Sequence, residues 1–410
     1  MRSVEEFELA DKTVLLRVDI NSPIDPTSRK IVNTNRLEKS IPTISYLLEQ
    51  GAKLAMVAHQ GDTLDYQNLL SMQEHTEILG RLLGANVDYI DDVCGPAAQE
   101  KVRALKPGTA VLLGNLRYLS EEISTFENAV KLEPQQMLDT WLVRGLAPLV
   151  DIYVNDAFAA AHRNAPSMVA FQEIKPTAAG KLLFDEVTAL NRVMSEPEHP
   201  SVFVLGGAKI SDAFGMLQQV LETGTADRIL ACGITGEIML LASGYRLGAV
   251  KEQFLKDRSL DVFVDQGASY LSDYPDKILY PQDLAYEDKG IRKEIPITEL
   301  PAEHMYMDIG NRTIAEFETV IGEAKTLFVN GPPGVYENAL FENGTRAIWN
   351  AIAAAEGYSV IGGGDTVTAA TRFVDLNQIN YVCTAGGAMV RYLSGKKLPL
   401  MVAMEKAQQR

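Results

Sequence analysis

Short apolar runs alternate with helical stretches along the whole chain, and this alternation limits the possible folds more than any other feature of the sequence. Each run is rich in Val, Ile and Leu, ends in glycine or a polar residue, and precedes a stretch with helical spacing. The runs begin at Val14, Lys53, Val111, Asp151, Val202, Arg228, Thr326, Tyr358 and Tyr381. Strands that are apolar on both faces and alternate with helices are typical of parallel sheets. The sequence therefore predicts an α/β protein with parallel sheets flanked by helices.

The length of 410 residues indicates two domains, because it is more than twice the length of a typical single domain. The pattern changes between about residues 165 and 200, where a predicted helix over about 178–195 is followed by Glu-Pro-Glu-His-Pro. We therefore predict two Rossmann-like domains. The N-terminal domain covers 1–170, an interdomain helix and linker cover 171–199, and the C-terminal domain covers 200–392.

The charge balance and the cysteine content exclude several classes of protein. The chain has 54 acidic and 38 basic residues and a net charge of −16, which argues against the basic face that nucleic-acid binding requires. Three cysteines (Cys94, Cys232 and Cys383), without a CxxC or HExxH motif, argue against a disulfide scaffold and a Cys-rich zinc site. The first residues include charges where a signal peptide is apolar, and no segment has the roughly 18 apolar residues of a membrane span. We expect a cytoplasmic protein with no nucleic-acid or membrane partner.

Polar residues collect at the predicted strand ends of the N-terminal half, where open parallel sheets bind their ligands. Four arginines at separate strand ends suggest an anionic ligand, because arginine binds phosphate and carboxylate through two hydrogen bonds. For any single arginine, an ion pair between secondary-structure ends is an equally good interpretation. A lone histidine after a strand is more often structural than catalytic, and a single carboxylate there more often caps a turn. The candidates are Arg17, Asp19, Asn21, Arg36, His59, Asn115, Arg117, Asp156, His162 and Arg163.

Glycine-rich turns follow the predicted strands of the C-terminal half. Three of them are Gly206-Gly-Ala-Lys209, Gly331-Pro-Pro-Gly334 and Gly362-Gly-Gly-Asp-Thr366. Such turns let backbone N–H groups approach a polyphosphate, although each alone can serve turn geometry only. Neither a Walker A motif nor GxGxxG occurs, which disfavours a P-loop NTPase and a dehydrogenase. Lys209 is a candidate phosphate ligand, and Asp365 is either a helix cap or a residue that holds Mg²⁺ through water.

These residues lie in segments that resemble phosphoglycerate kinase over about residues 14–395, in matching order and spacing. The run Ala58-His-Gln, and the lack of a second lysine after Ser211-Asp212, resemble the archaeal branch of that family. The matching segments are Arg17-Val-Asp-Ile-Asn-Ser-Pro23, Asn155-Asp-Ala-Phe-Ala-Ala-Ala-His-Arg163, Leu205-Gly-Gly-Ala-Lys-Ile-Ser-Asp212, Asn330-Gly-Pro-Pro-Gly-Val-Tyr-Glu337 and Ile361-Gly-Gly-Gly-Asp-Thr366.

The resemblance implies two domains separated by a cleft, with a C-terminal tail (393–410) that returns to the N-terminal domain. It implies a monomer that moves a phosphoryl group between 1,3-bisphosphoglycerate and ADP, giving 3-phosphoglycerate and ATP, without a covalent intermediate. Arg36 and Lys209 are the expected catalytic cations, and Asp365 is the expected Mg²⁺ ligand. The implied 3-phosphoglycerate ligands are Asp19, Asn21, Arg36, His59, Arg117 and Arg163. The implied ATP/ADP ligands are Gly206, Lys209, Asn330, Gly331, Glu337, Gly363, Gly364, Asp365 and Thr366.

Three departures from the family pattern leave alternatives open. After His59 the family usually has an arginine of the substrate patch, whereas this chain continues Gln60-Gly61-Asp62-Thr63. The segment Leu113-Gly-Asn-Leu-Arg117 lacks a carboxylate that the family has, and Ala385-Gly-Gly387 replaces a triple glycine. Because Asp62 would repel a substrate phosphate, one alternative is a kinase that forms an acyl phosphate on another carboxylate. A second is a non-catalytic nucleotide-binding relative that acts through a protein partner.

Overall fold

The computed structural model describes residues 1–62 and 69–409 of the chain. The chain divides into two compact units. The first comprises Met1–Val187 together with Lys397–Arg410, and the second comprises Thr188–Lys396. Each unit is described below by itself.

The elements of the first unit follow the predicted alternation of strand and helix, and short 3-10 turns complete several connections. The helix α7 continues past the boundary into the second unit. In chain order the elements are β1 (Thr13–Val18), α1 (Asn35–Glu49), β2 (Lys53–Val57), α2 (Gln73–Leu83), β3 (Val87–Tyr89), α3 (Pro96–Arg103), β4 (Ala110–Leu112), α4 (Ser124–Val130), α5 (Trp141–Leu146), β5 (Ile152–Asp156), α6 (Pro166–Val169), β6 (Thr177–Ala179) and α7 (Lys181–Met194).

The second unit contains strands of a parallel sheet and strands of an antiparallel sheet. The last helix of the chain, α16, belongs to the first unit. The remaining elements are β7 (Ser201–Leu205), α8 (Ile210–Glu222), β8 (Arg228–Ala231), α9 (Gly233–Ala242), α10 (Ala249–Asp257), α11 (Val264–Asp273), β9 (Ile278–Leu279), β10 (Asp283–Asp288), β11 (Ile291–Pro296), β12 (Tyr306–Ile309), α12 (Asn311–Glu323), β13 (Thr326–Asn330), α13 (Asn343–Ala354), β14 (Tyr358–Gly362), α14 (Gly364–Phe373), β15 (Tyr381–Cys383), α15 (Gly386–Leu393) and α16 (Pro399–Gln408).

A six-stranded parallel sheet in the order β3-β4-β2-β1-β5-β6 forms the centre of the first unit. Strand β1 pairs with β2 on one side and β5 on the other, so its residues from Val14 to Val18 are buried on both faces. On one face, Leu16 and Val18 pack in a core with Leu37 and Ile44 of α1. The predicted parallel sheet is confirmed, and its carboxyl ends share one edge.

The second unit contains another six-stranded parallel sheet, in the order β15-β14-β13-β7-β8-β9. Its core includes Trp349 of α13 and Phe317 of α12, both buried against strand residues such as Val329. A separate antiparallel sheet in the order β11-β10-β12 accompanies it, and the sequence analysis did not predict this sheet. The two parallel sheets confirm the predicted fold class of α/β domains.

The boundary between the units differs from the predicted linker over 171–199. Residues 171–180 lie in the first unit, because β6 pairs with β5 through Tyr153 and Thr177. The boundary falls inside α7, between Val187 and Thr188. At the other end of the chain, the residues from Lys397 onward belong to the first unit, and this segment contains helix α16.

Among the described residues, none of the helices is both long and apolar enough to cross a membrane.

Candidate active site

A cavity of about 250 Å³ lies at the carboxyl edge of the sheet in the first unit. Its lining is dominated by charged and polar side chains from four strand ends. It includes every residue that the sequence analysis predicted for an acyl substrate. The charged and polar side chains that line it are Arg17, Asp19, Asn21, Arg36, His59, Asp62, Arg117, Glu122, His162 and Arg163.

The side chains of Arg17 and His59 form a buried pair. Arg17 donates from Nη2 to Nδ1 of His59 across 2.8 Å, and from Nη1 to the Val18 carbonyl across 2.6 Å. Because a guanidinium group cannot accept a hydrogen bond, Nδ1 of His59 is unprotonated and its proton lies on Nε2. Burial, followed by the charge of Arg17 and the other arginines, holds the pKa of His59 well below its usual range. His59 is therefore neutral and presents an N–H donor.

Arg36, on the first turn of α1, pairs with Asp19, which follows β1. Its Nη1 lies 2.6 Å from Asp19 Oδ2. The Asp19 side chain is 7% exposed whereas that of Arg36 is 37% exposed, so the carboxylate anchors a cation that solvent and ligands can reach. Asn21 accepts a hydrogen bond from the Gly61 backbone N–H across 3.0 Å, which links the turns after β1 and β2.

Arg117 and Arg163 place further positive charge in the same cavity. Burial, and then the charges of Arg163 and Arg17, lower the pKa of Arg117 to about 10. The charge of Asp62 opposes this shift, so the acid found where the family has an arginine acts on Arg117. Arg163 donates from Nε to Glu127 across 2.6 Å. Within the described part of the chain, Arg117 Nε and Arg163 Nη2 are buried donors without an acceptor. An anionic ligand would supply the acceptors that these donors lack.

Two buried residues that the sequence analysis did not single out, Glu122 and Ser167, support Arg17, whereas Gln60 fixes a nearby turn. Glu122 accepts hydrogen bonds from the backbone N–H and the hydroxyl of Ser167, both across 2.7 Å, and Ser167 accepts from Arg17 across 3.2 Å. Gln60 accepts from the Ser22 backbone N–H across 2.9 Å and lies 2.8 Å from His75 Nε2. Gln60 is thus a structural residue. The last residue of the departing segment, Thr63, lies outside the described residues.

Two of the strand-end candidates from the sequence analysis have structural roles instead. Asn115 accepts from the backbone N–H groups of Gln60 and Arg117, across 3.1 and 3.0 Å, and so fixes the turns beside the cavity. Asp156 accepts from the Leu183 backbone N–H across 3.0 Å, at the start of α7, and does not line the cavity. No motif distinguishes such residues from ligand-binding ones, because both kinds follow a strand.

A larger cavity, of about 410 Å³, lies in the second unit. The turns after β7, β8 and β13 line one part of it, together with Glu337 and Asp365, which the sequence analysis predicted. The remainder is mostly apolar, with a small charged group. The side chains of this part belong to Ile234, Glu237, Lys251, Phe254, Pro281, Leu284, Met305, Tyr306, Met307, Asp308 and Ile309.

Hydrogen bonds tie the predicted glycine turns to one another. Gly206 donates from its backbone N–H to the Asn330 carbonyl across 2.9 Å, and Asn330 Nδ2 donates to the Gly362 carbonyl across 2.8 Å. Gly331 donates to Thr366 Oγ1 across 2.8 Å. Gly331 has φ +89°, and a Cβ there would lie 2.2 Å from the Gly206 carbonyl oxygen. Glycine is therefore required at position 331 by both conformation and space.

The predicted phosphate and metal ligands lie together at the start of α14. Lys209 Nζ is 3.7 Å from Asp365 Oδ2, and both side chains are about three-quarters exposed, at 73% and 74%. Gly363 has φ +97°, and a Cβ at Gly364 would meet nothing within 4 Å, so the helix N-terminus is open to a ligand. No group of three or more metal-ligating side chains occurs among the described residues. A single exposed carboxylate fits Mg²⁺, which usually takes one or two carboxylates together with water and substrate phosphates.

The family is shown by comparison with known proteins. The model of the family described as phosphoglycerate kinase matches residues 4–396. The chain belongs to the phosphoglycerate kinase family. A phosphoglycerate kinase of Methanobacterium bryantii is 39% identical over 399 residues, which cover 97% of this chain and 96% of that protein. That of Methanothermobacter thermautotrophicus is 38% identical, covering 99% and 97%.

Solved structures of phosphoglycerate kinases have the same fold. The crystal structure from Pyrococcus horikoshii has a TM-score of 0.86 at 35% identity and covers all of both chains. The structure from Coxiella burnetii has a TM-score of 0.82 at 30% identity and covers 99% of each chain. Phosphoglycerate kinases are enzymes that transfer a phosphoryl group to a carboxylate, with ATP or ADP as the second substrate. Family membership supports this predicted activity and not the alternatives of another acid or a non-catalytic relative.

Proposed function

We propose that the protein catalyses reversible phosphoryl transfer between 1,3-bisphosphoglycerate and ADP, to give 3-phosphoglycerate and ATP. The observation that supports this most directly is a pair of buried donors, Arg117 Nε and Arg163 Nη2, which have no acceptor among the described residues and lie in a cavity with two further arginines. Such a cavity fits a small anion with several oxygens. Membership of the family supplies the identity of that anion.

In this proposal the cavity of the first unit binds 3-phosphoglycerate. The guanidinium groups of Arg117 and Arg163 bind its phosphate or carboxylate oxygens, and the neutral His59 donates from Nε2. Asp19 holds Arg36 by the 2.6 Å ion pair, while the amide of Asn21 is fixed by Gly61. The binding residues are Asp19, Asn21, Arg36, His59, Arg117 and Arg163.

The cavity of the second unit binds ADP or ATP. Its apolar part holds the base, Glu337 binds the ribose, and the glycine turns and Lys209 bind the phosphates. Asp365, exposed beside Lys209, would hold Mg²⁺, which neutralises charge on nucleotide oxygens when it is bound. The residues of the site are Gly206, Lys209, Asn330, Gly331, Glu337, Gly363, Gly364, Asp365 and Thr366.

Phosphoryl transfer of this kind depends on position and charge more than on covalent chemistry. The attacking and leaving oxygens must lie in line with the transferred phosphorus, and negative charge spreads over its other oxygens. We assign Arg36 and Lys209 as the cations that stabilise this charge. The Arg36 side chain is 37% exposed in the cavity of the first unit, and that of Lys209 is 73% exposed beside Asp365 in the second unit, so each is open to a ligand. No covalent enzyme intermediate is required.

The proposal includes a monomer in the cytoplasm. The three cysteines are buried and form no disulfide among the described residues, as is usual in a reducing compartment. Light scattering coupled to size exclusion tests the monomer, for which a mass near 44.9 kDa is expected.

The activity is tested by incubating the purified protein with MgATP and 3-phosphoglycerate and trapping the acyl phosphate with hydroxylamine. We expect turnover with 3-phosphoglycerate and loss of about 100-fold or more in kcat in Lys209→Ala. Glu100→Gln, an exposed residue of α3, serves as the control. Turnover only with a different carboxylic acid, or ADP binding without any turnover, would contradict the proposal.

A further inference from the structure

The cavity of the second unit contains a buried ion pair within its apolar part. Glu237 lies on α9 and Lys251 lies on α10, and Lys251 Nζ is 2.7 Å from Glu237 Oε1. Their side chains are 7% and 4% exposed. Both residues line the cavity beside Phe254, Leu284 and Tyr306. The charged pair therefore adjoins the space in which we place the base of the nucleotide.

The two partners of this pair differ in how their hydrogen bonds are satisfied. Lys251 donates to Glu237 and also to the Tyr306 carbonyl across 2.8 Å, which leaves one N–H of its ammonium group. Glu237 Oε1 accepts from Lys251. Glu237 Oε2 is buried and has no hydrogen-bond partner in the part of the chain that the structure describes. A donor on a ligand in the cavity would satisfy this oxygen.

Stability alone does not explain an ion pair at this place. Moving two charges out of water is costly for each ion, and apolar side chains of similar volume are often equally stable at such a place. An unsatisfied buried carboxylate oxygen adds a further cost. A few polar groups in a mostly apolar cavity are instead typical of sites that distinguish one ligand from another. The pair is thus better explained by ligand recognition.

The position of Glu237 also relates it to the nucleotide. It lies four residues, or about one helical turn, after Gly233 at the start of α9. Gly233 lines the cavity, and the following residue, Ile234, donates to the Gly207 carbonyl across 3.2 Å. One face of α9 therefore joins the glycine turns to the ion pair. A ligand that contacts these turns and extends along the cavity passes Glu237.

We propose that Glu237 selects purine nucleotides that have an amino group at position 6 of the base. This inference rests on nucleotide binding as stated under the proposed function and adds base selectivity to it. The 6-amino group of adenine is a donor that Glu237 Oε2 can accept, and N1 of adenine is an acceptor for the remaining N–H of Lys251. In hypoxanthine and guanine, position 6 is a carbonyl oxygen, which a carboxylate repels. A site built to bind a polar group rejects an analogue that lacks it.

The test compares ADP with IDP, whose bases differ at position 6 and in protonation of N1, by isothermal titration calorimetry. We expect the natural protein to bind ADP at least about tenfold more tightly than IDP, the factor for one hydrogen bond to a charged group. In Glu237→Gln the ratio should fall towards one, because the amide can donate to a carbonyl oxygen. In the control Glu222→Gln, an exposed glutamate at the end of α8, the ratio should stay unchanged.

A second variant guards against misfolding, because Glu237→Gln leaves the Lys251 ammonium without a counter-ion. The double variant Glu237→Leu with Lys251→Met replaces the pair by apolar side chains, and it should still bind ADP but with a ratio near one. Equal binding of ADP and IDP by the natural protein, tighter binding of IDP, or an unchanged ratio in both variants would overturn base selectivity while leaving nucleotide binding intact. Failure of the natural protein to bind either nucleotide would instead overturn the nucleotide site as well.

Discussion

Arg17 donates a hydrogen bond from Nη2 to Nδ1 of His59 across 2.8 Å, and both side chains are buried. This contact fixes the imidazole as the neutral tautomer with its proton on Nε2. It also explains why a histidine among four arginines adds no charge of its own. The cavity therefore combines charged donors from arginine with a neutral donor from His59.

The first prediction concerns the protonation of His59. Because burial and the arginines hold its pKa well below the usual range, the ring should stay neutral from pH 8 down to about pH 6. Nitrogen-15 NMR of histidine-labelled protein should show a protonated Nε2 and an unprotonated Nδ1 throughout this range. A His59 signal that titrates near pH 6.5 would contradict the prediction.

The second prediction concerns His75 and acid stability. Burial lowers its pKa to about 4, whereas the unfolded chain has the ordinary value of 6.5. The unfolded state then binds more protons between these values, so stability falls as pH drops from about 6.5 to 4. The difference of pKa corresponds to about 3 kcal/mol. Urea unfolding at pH 7, 5.5 and 4 should show a smaller loss in His75→Gln than in the natural protein. Equal losses would contradict it.

The third prediction concerns Asp308 and has the opposite sign. Burial raises the pKa of Asp308 to about 7, against 3.8 in the unfolded chain, although the Gly344 N–H and Arg292 oppose the shift. The folded state binds more protons between these values, so its stability falls as pH rises from about 4 to 7. We expect Asp308→Asn to gain stability relative to the natural protein over this range, by up to about 4 kcal/mol. Urea unfolding at pH 5 and 8 measures this difference, and a constant difference would refute it.

Most of the parallel strands could be predicted from the sequence because burial on both faces leaves continuous apolar runs. Strands β10 to β12 could not, since β11 (Ile291–Pro296) contains three consecutive charged residues and is partly exposed. The short strands β3, β6 and β9 give too few residues for a pattern. The residues of β6 fall within the predicted linker over 171–199, and their pairing with β5 places them in the first unit instead.

The charged residues that line the candidate site could be predicted from the sequence, whereas the residues that support them could not. Arg117 follows the end of strand β4, whereas Arg36 lies on the first turn of α1. Glu122 and Ser167 are 45 residues apart and meet only through the fold. Glu237 and Lys251 lie on different helices, and their 2.7 Å contact has no signal in either segment. Local spacing reveals which residues end a strand, whereas such distant contacts depend on packing.

The fourth prediction tests Arg36 as a catalytic cation. Its Nη1 is held by Asp19, while its other donors can reach a ligand because the side chain is partly exposed. Arg36→Ala should lower kcat by about 100-fold or more, as expected when one donor to developing charge is removed. Arg36→Lys should recover part of this loss, since it keeps the charge without the planar geometry. Arg81→Ala, an exposed arginine of α2, is the control. A kcat within a few-fold of the natural protein in Arg36→Ala would refute the assignment.

The fifth prediction tests Asp62, the acid at the position where the family has an arginine. Asp62 lines the cavity of the first unit, and its charge acts on Arg117, so it offsets part of the positive field that binds an anion. Asp62→Asn removes this charge at nearly constant volume. We expect KM for 3-phosphoglycerate to fall several-fold while kcat changes little, because the carboxylate weakens substrate binding without touching the transferred group.

The effect of Asp62 should also depend on salt, since it acts through charge. Steady-state kinetics at about 0.01 M and 0.15 M ionic strength correspond to Debye lengths of about 30 Å and 8 Å. The ratio of KM between the natural protein and Asp62→Asn should be larger at the lower ionic strength. Glu100→Gln, which removes a charge outside the cavity, should leave KM unchanged at both ionic strengths. An unchanged or higher KM in Asp62→Asn would mean that the carboxylate positions the substrate or the arginines, and that its charge does not weaken anion binding.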